Sequence, residues 1–192
     1  MATEWTLVTP ASVPLVTVAE AKAMLLIDHS ADDALIIALI SAAIEEAQRA
    51  SGRSFITRTC KMVLDCWPAD NIIKLYYPPA LTVTSIKYFD DAGIEQTVSA
   101  SDYTLITDTT PGIVVPAIGK SWPSANLRTY APIRVTYTAG YGAAATAVDA
   151  ELVQLVKALV VVDYESRESI SAQAIAQRNR ILNALTARWG WA

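Results

Sequence analysis

His29 is the chain's single imidazole, and that count removes most familiar reaction chemistry. A Ser–His–Asp or Cys–His nucleophile and a histidine-rich metal site each need imidazole at a defined place. His29 instead sits in Asp28-His29-Ser30, a polar stretch that reads as a solvated turn. Paired carboxylates occur at Asp32/Asp33, Glu45/Glu46 and Asp90/Asp91. Adjacent residues point two ways, whereas a glycosidase acid pair flanks one bond. The three pairs read as helix-start charge, a solvated helix face and a hairpin turn. Gly140-Tyr141-Gly142 lacks the spacing and the Lys-Ser/Thr of a phosphate loop. Tyr130, Tyr137 and Tyr141, near Arg128 and Arg134, have the side chains to stack on bases, but strand aromatics at this spacing usually pack. Cys60 and Cys66 lie six residues apart in a strand-like run, about 20 Å on one face, beyond disulfide reach. With Met62 and Leu64 they read as buried small hydrophobes. The expectation is no catalytic residue, no cofactor and no metal site, and so no enzyme.

The elements around these residues explain why nothing gathers. Thr17-Val18-Ala19-Glu20 is a capping box that starts a helix running to about Leu26. A second helix follows from about Ala31 to Ser51, with Ser30 as the expected cap and Gly52 as its left-handed stop. Ile36, Ile40, Ala43, Ile44 and Ala47 form its core stripe. Leu35, Ile37 and Leu39 fall outside the stripe, an apolar girdle that asks for burial on two sides. From Phe55 to Thr138 the period becomes two, with six or seven short strands and a hairpin around Asp90-Asp91-Ala92-Gly93. A small antiparallel sandwich or barrel is expected there. Val148 to Glu165 is a third, mostly apolar helix and should be the central one. A break near Glu168-Ser169 precedes a last helix, about Ser171 to Arg188, with Ile175, Leu182, Leu185 and Trp189 on one side.

The fold class is therefore α+β, a helical bundle built from N- and C-terminal helices with an inserted antiparallel β subdomain. The expected division is 1–53, an N-terminal helical part; 54–142, the β subdomain; 143–168, the central helix returning to the bundle; and 169–192, a C-terminal arm. The helices at 17–51 and 148–165 should pack together.

Hydrophobic residues make up 53% of the 192 residues and charged residues 18%, leaving a charge-poor surface that favours burial against partner subunits. Net charge is −4, which argues against the whole chain as a nucleic-acid binder. Its distribution is uneven: residues 1–50 carry seven acids and two bases, whereas the chain from Ser169 onward has Arg178, Arg180 and Arg188 and no acidic side chain. An acidic front and a basic end invite head-to-tail contact between copies, which closes into rings when the rotation permits. Trp189 and Trp191 strengthen that reading, because tryptophan and arginine anchor interfaces. The partner-interface candidates are Ile37, Arg178, Arg180, Arg188, Trp189 and Trp191. Removal of residues 178–192 is expected to leave the remaining domain folded. Met1 to Pro10 has an acid and no base, unlike a signal peptide. The charge-free stretch between Asp33 and Glu45 is too short to span a bilayer.

Three phrases stand at the junctions: Pro14-Leu15-Val16-Thr17-Val18-Ala19-Glu20-Ala21-Lys22, Ala50-Ser51-Gly52-Arg53, and Val135-Thr136-Tyr137-Thr138-Ala139-Gly140-Tyr141-Gly142. Their order and spacing over roughly the whole chain resemble the head–tail connector proteins of tailed bacteriophages. Ser51 to Thr57, Trp122-Pro123 and Tyr164-Glu165-Ser166-Arg167-Glu168 share the likeness. The resemblance implies a structural virion protein made in the host bacterial cytoplasm: a ring, typically of twelve copies, beneath the portal protein. The C-terminal segment would grip the portal, and the other face would receive a head-completion (stopper) or tail protein. DNA would pass through the lumen without sequence-specific binding, and no membrane is involved. The competing reading is a monomeric β-domain binding module for carbohydrate or a small ligand, with Trp67, Tyr76, Tyr77 and Trp122 as a stacking platform.

Overall fold

The structure, a computed structural model, describes residues 2–167 and 171–190. The class is α+β. Two compact units divide the chain, a β unit from Met1–Ala11 and Thr57–Gly140 and a helical unit from Ser12–Ile56 and Tyr141–Ala192.

In the helical unit, α1 (Val18–Leu25) opens on the capping box: the Glu20 amide donates to Thr17 Oγ1 at 3.2 Å, and the Thr17 amide donates to Glu20 Oε2 at 2.9 Å. Helix α2 (Asp33–Ser51) is capped at Asp32 and not at Ser30, and ends at Gly52, whose φ of 64 is the left-handed stop. Asp32 makes no side-chain cap bond; its carboxylate accepts from the hydroxyl of Tyr164. Helix α3 (Ala150–Glu165) is capped by Asp149, which accepts from the Glu151 amide at 2.9 Å. Helix α4 spans Ala172–Trp189.

Ile36, Ile40, Ala43 and Ala47 of α2 are buried at helical spacing and share one core with Leu152, Val156, Leu159 and Val160 of α3. Ala21 of α1 and Ile181, Leu185 and Trp189 of α4 complete it. The arm expected from residue 169 is thus a packed helix. Its inward residues follow an i, i+4 step from Ile181, while Ile175, expected on the buried side, is 49% exposed. Residues 168–170, where the break was expected, lie outside the described residues.

The β unit holds eight strands: β1 (Ala2–Thr9), β2 (Arg58–Leu64), β3 (Ile73–Lys74), β4 (Ala80–Phe89), β5 (Glu95–Val98), β6 (Tyr103–Ile106), β7 (Ile113–Pro116) and β8 (Ile133–Ala139). They form a five-stranded sheet, order β1-β2-β8-β4-β5, and a three-stranded sheet, order β3-β7-β6. Every pairing is antiparallel. The inner face of the larger sheet buries Cys60, Met62, Ile86, Val135 and Tyr137 against Ile73 and Val114 of the smaller one. On its other face the register sets Thr59, Thr138 and Thr82 in one row, Lys61, Thr136 and Ser85 in the next, and Val63, Arg134 and Lys87 in a third. The Thr82 and Thr138 hydroxyls are 2.7 Å apart.

Two expectations need correction here. Residues 1–53 are not wholly helical, because β1 pairs with β2, so the β unit draws on both sides of the first two helices. Cys66 is exposed, because β2 ends at Leu64 and the chain bends before the alternation reaches it. Leu185 is fully buried, and Leu185→Ala should destabilise the protein by about 2–4 kcal/mol in a urea melt. Ile175→Ala, on the exposed side, should cost under about 0.5 kcal/mol.

Candidate assembly interface

Among the described residues no group of three or more His, Cys, Asp or Glu is placed to hold a metal ion, and no helix is long and apolar enough to cross a membrane. His29 is exposed in its turn. The surfaces that ask for a partner lie on the helical unit.

Four polar contacts fix how its helices sit. Lys22 Nζ lies 2.8 Å from Asp33 Oδ1, tying α1 to α2. Lys157 Nζ lies 2.8 Å from Glu20 Oε1, tying α3 to α1. The bond from Lys157, followed by those from the Thr17 amide and hydroxyl, holds the Glu20 carboxyl down at about 2. The Tyr164 hydroxyl joins α3 to Asp32, and its donation to that carboxylate raises its own pKa. Arg178 forks between two helices, with Nη1 donating to Glu46 Oε1 at 2.8 Å and Nε to Asp163 Oδ1 at 2.9 Å.

With the helices so oriented, α2 turns one face outward. Ala34, Leu35, Ile37, Ala38, Ser41 and Ala42 are exposed along it, and Ile37 is 53% exposed. At the end of α1, Leu26 takes the left-handed conformation at φ 55 and ψ 39, at a cost of about 1 kcal/mol for a residue with a Cβ. Its side chain is 93% exposed. Leu26 was missed by reading helix stripes, because a residue beyond the last helical turn belongs to no stripe.

The other candidates fall differently. Arg178 is committed to Glu46 and Asp163. Arg188 Nη1 lies 2.6 Å from Glu151 Oε2, and its guanidinium carbon is 5.0 Å from the centre of the Trp189 ring. Trp189 is buried, and its carbonyl accepts from Arg53 Nε at 2.8 Å. Arg180 is exposed. Trp191 lies outside the described residues. The basic end therefore meets its acidic counterparts first within its own unit, since α4 lies against α2 and α3, where Glu46, Glu151 and Asp163 stand. Arg178 and Arg188 are thus engaged by carboxylates of α2 and α3 and Trp189 is buried, while Ile37 and Arg180 stay on the surface.

The aromatic platform of the competing reading does not assemble. Trp67 and Trp122 stack on each other, centroids 4.9 Å apart and planes 5° from parallel, so each occupies a face the other would offer. Tyr77 packs on Trp5 at 4.3 Å, with Arg58 over both rings.

A family model described as phage gp6-like head-tail connector protein matches residues 15–107. No curated protein matches the chain. Among solved structures, a chain in the virion of a native gene transfer agent particle is 26% identical, with a TM-score of 0.80 over 99% of this chain and 96% of that one. A chain in the neck of the empty particle, computed with C6 symmetry, is 26% identical with a TM-score of 0.76, covering 93% of this chain and 95% of that one. A third, from the native particle's neck computed with C12 symmetry, is also 26% identical, with a TM-score of 0.75 over 93% and 94%.

Because the folded Glu20 value lies below the ordinary 4.5, the contact with Lys157 stabilises fully above that pH and is lost as pH falls toward about 2. Lys157→Met should lower stability by about 0.5 kcal/mol at neutral pH, and in thermal melts the difference from wild type should shrink over that same acid window. Removing residues 178–192 takes Ile181, Leu185 and Trp189 out of the core. Contrary to the expectation from sequence, the truncated helical unit should lose its cooperative transition in calorimetry.

Proposed function

We propose, from the premise that this chain belongs to the phage gp6-like head–tail connector family, a specific way in which it builds the neck. It is a structural protein of the virion, located at the head–tail junction, in a family of connectors and not of enzymes. The observation that carries this role is the likeness to a gene transfer agent virion chain along 99% of its length. The finer reading is a ring of twelve copies seated under the portal protein, with a stopper or tail protein on its other side and DNA threading the lumen. The C12 and C6 symmetries of the related necks support a ring.

Within that ring, the outward face of α2 around Ile37 and the projecting Leu26 are the contacts between neighbouring copies. Burying apolar side chains of this size returns about 25 cal/mol per Å², so a face that is costly in water becomes the seam of an oligomer. A heterologous seam of this kind closes into a ring without a two-fold axis. The basic C-terminal helix serves this assembly indirectly, by holding α2 and α3 in register through Arg178, and Arg180 and Trp191 remain as candidate portal contacts.

The test is complementation of particles that lack the gene. Wild-type protein should restore DNA-retaining, tailed particles. Ile37→Asp should fold with an unchanged melting temperature, since Ile37 is on the surface, yet leave heads without tails. Ile37→Asp protein that restores tailed particles in full would remove α2 from the seam, and tailed, DNA-filled particles in the absence of any copy would overturn the connector role.

A further inference from the structure

The outer face of the five-stranded sheet has a composition that the connector role does not require. Its three central strands, β2, β8 and β4, carry no acidic residue, although the whole chain is net negative. By register their outer positions include threonine, serine, lysine and arginine, with Val63 and Phe89 as apolar members. Val63 is only 5% exposed, and the Phe89 ring lies beneath the guanidinium groups of Arg128 and Arg134.

The charges on it are arranged at a cost. Arg134 and Lys87 are directly opposed across β8 and β4, and like charges in that position destabilise a sheet. A third cation joins them: the guanidinium carbons of Arg128 and Arg134 lie 3.9 and 4.7 Å from the centre of the Phe89 ring. Arg128 is fastened there by the carbonyls of Tyr130 and Ala131, at 2.9 and 2.6 Å. The nearby carboxylates stand on the edge strands and at the strand ends, where Asp65 accepts from the Ala131 amide at 3.4 Å and Asp90 bridges to Leu127. Glu95 on β5 is paired with Lys87 at 2.6 Å, and Glu4 on β1 faces Val63. Lys61 extends the row of cations on β2.

We infer that this face, through Lys61, Lys87, Arg128, Arg134 and the hydroxyls between them, binds the sugar–phosphate backbone of duplex DNA without regard to sequence. Phosphate oxygens only accept hydrogen bonds, and the central strands present donors and carry no carboxylate of their own, while Glu95 beside them is paired with Lys87. Lysine, arginine, threonine and serine are the side chains that contact DNA backbones. The field is carried by strands, and Arg128, from the connection between β7 and β8, is held to backbone carbonyls, so base edges go unread. A protein partner would instead want an apolar centre inside a polar rim, which the buried Val63 and the arginine-covered Phe89 do not provide. The inference stands on the sheet alone and does not depend on the family assignment.

The experiment measures binding of the full chain to a short mixed-sequence duplex by fluorescence anisotropy, starting at about 20 mM salt, where counterion release contributes most. Wild type should bind, and affinity should fall linearly on logarithmic axes as salt rises. The double variant Lys61→Gln/Arg134→Gln should weaken binding at least about ten-fold and reduce the salt slope by about two. Its melting temperature should be unchanged or higher, since one like-charge opposition is gone. Lys61→Arg/Arg134→Lys, which keeps both charges, should bind as wild type does. Absence of binding at low salt, or equal binding by the Gln double variant, overturns the inference. So does polyglutamate that competes as well as DNA, since the face would then take an acidic polypeptide. None of these outcomes bears on tail joining, so failure here leaves the connector role standing.

Discussion

The segment between α2 and α3 is closed by one pairing in the sheet. Strands β2 and β8 lie in register from Arg58 opposite Ala139 to Leu64 opposite Ile133. That ladder returns the chain beside the point where it left the helices, and the Tyr141 amide then donates to the Phe55 carbonyl at 2.8 Å. Without it, α2 and α3 would have to find each other across the long segment between Ser51 and Ala150, against the loop-closure entropy of a flexible chain. With it, Ile36, Ile40, Ala43 and Ala47 meet Leu152, Val156 and Leu159 as though they were near neighbours in sequence. The same ladder sets Cys60, Met62, Val135 and Tyr137 inward and Lys61, Arg134 and Thr136 outward. One register therefore determines the sandwich core and the cationic face together.

The second constraint is polar. An apolar stripe alone allows helices to slide and rotate; the ion pairs and hydrogen bonds from Lys22, Lys157, Tyr164 and Arg178 do not. Lys22 joins α1 to α2, Lys157 joins α3 to α1, Tyr164 joins α3 to the cap of α2, and Arg178 joins α4 to both α2 and α3. Partly exposed pairs of this kind contribute little stability one at a time. Their effect is on geometry, because each carboxylate is placed by a helix that is itself packed. The outcome is that α2 buries one side completely and leaves Leu35 and Ile37 facing out, the arrangement an assembling subunit needs.

Legibility in the sequence followed how local the signal was. The Thr17–Glu20 box, the Gly52 stop, the α2 stripe and the hairpin at Asp90–Gly93 depend on residues within a turn or two of each other, and the structure has them where the sequence put them. Strand β1 was missed because Trp5 and Leu7 alternate over too few residues to stand out, and its partner β2 lies some fifty residues on. The C-terminal helix was misjudged because its three arginines were weighed against the rest of the chain by sign and not by reach. Glu46, Glu151 and Asp163 lie far away in sequence but close to it in space. Trp189 read as an exposed anchor for the same reason, since a hydrophobic residue near a chain end has a core position only if its helix docks. Of the interface candidates, Ile37 was legible because its helix has too many apolar residues for one buried side. Leu26 was not, since left-handed backbone at a leucine has no sequence signature.

The central claim is that this chain is a neck subunit whose α2 face is covered by a neighbouring copy. Electron cryomicroscopy of particles containing the chain tests it most directly, at a resolution that shows side chains on α2. The account predicts a closed ring at the head–tail junction in which Ile37 of each copy is buried by the next. A neck without this chain, or a ring in which Ile37 faces solvent in every copy, would contradict it.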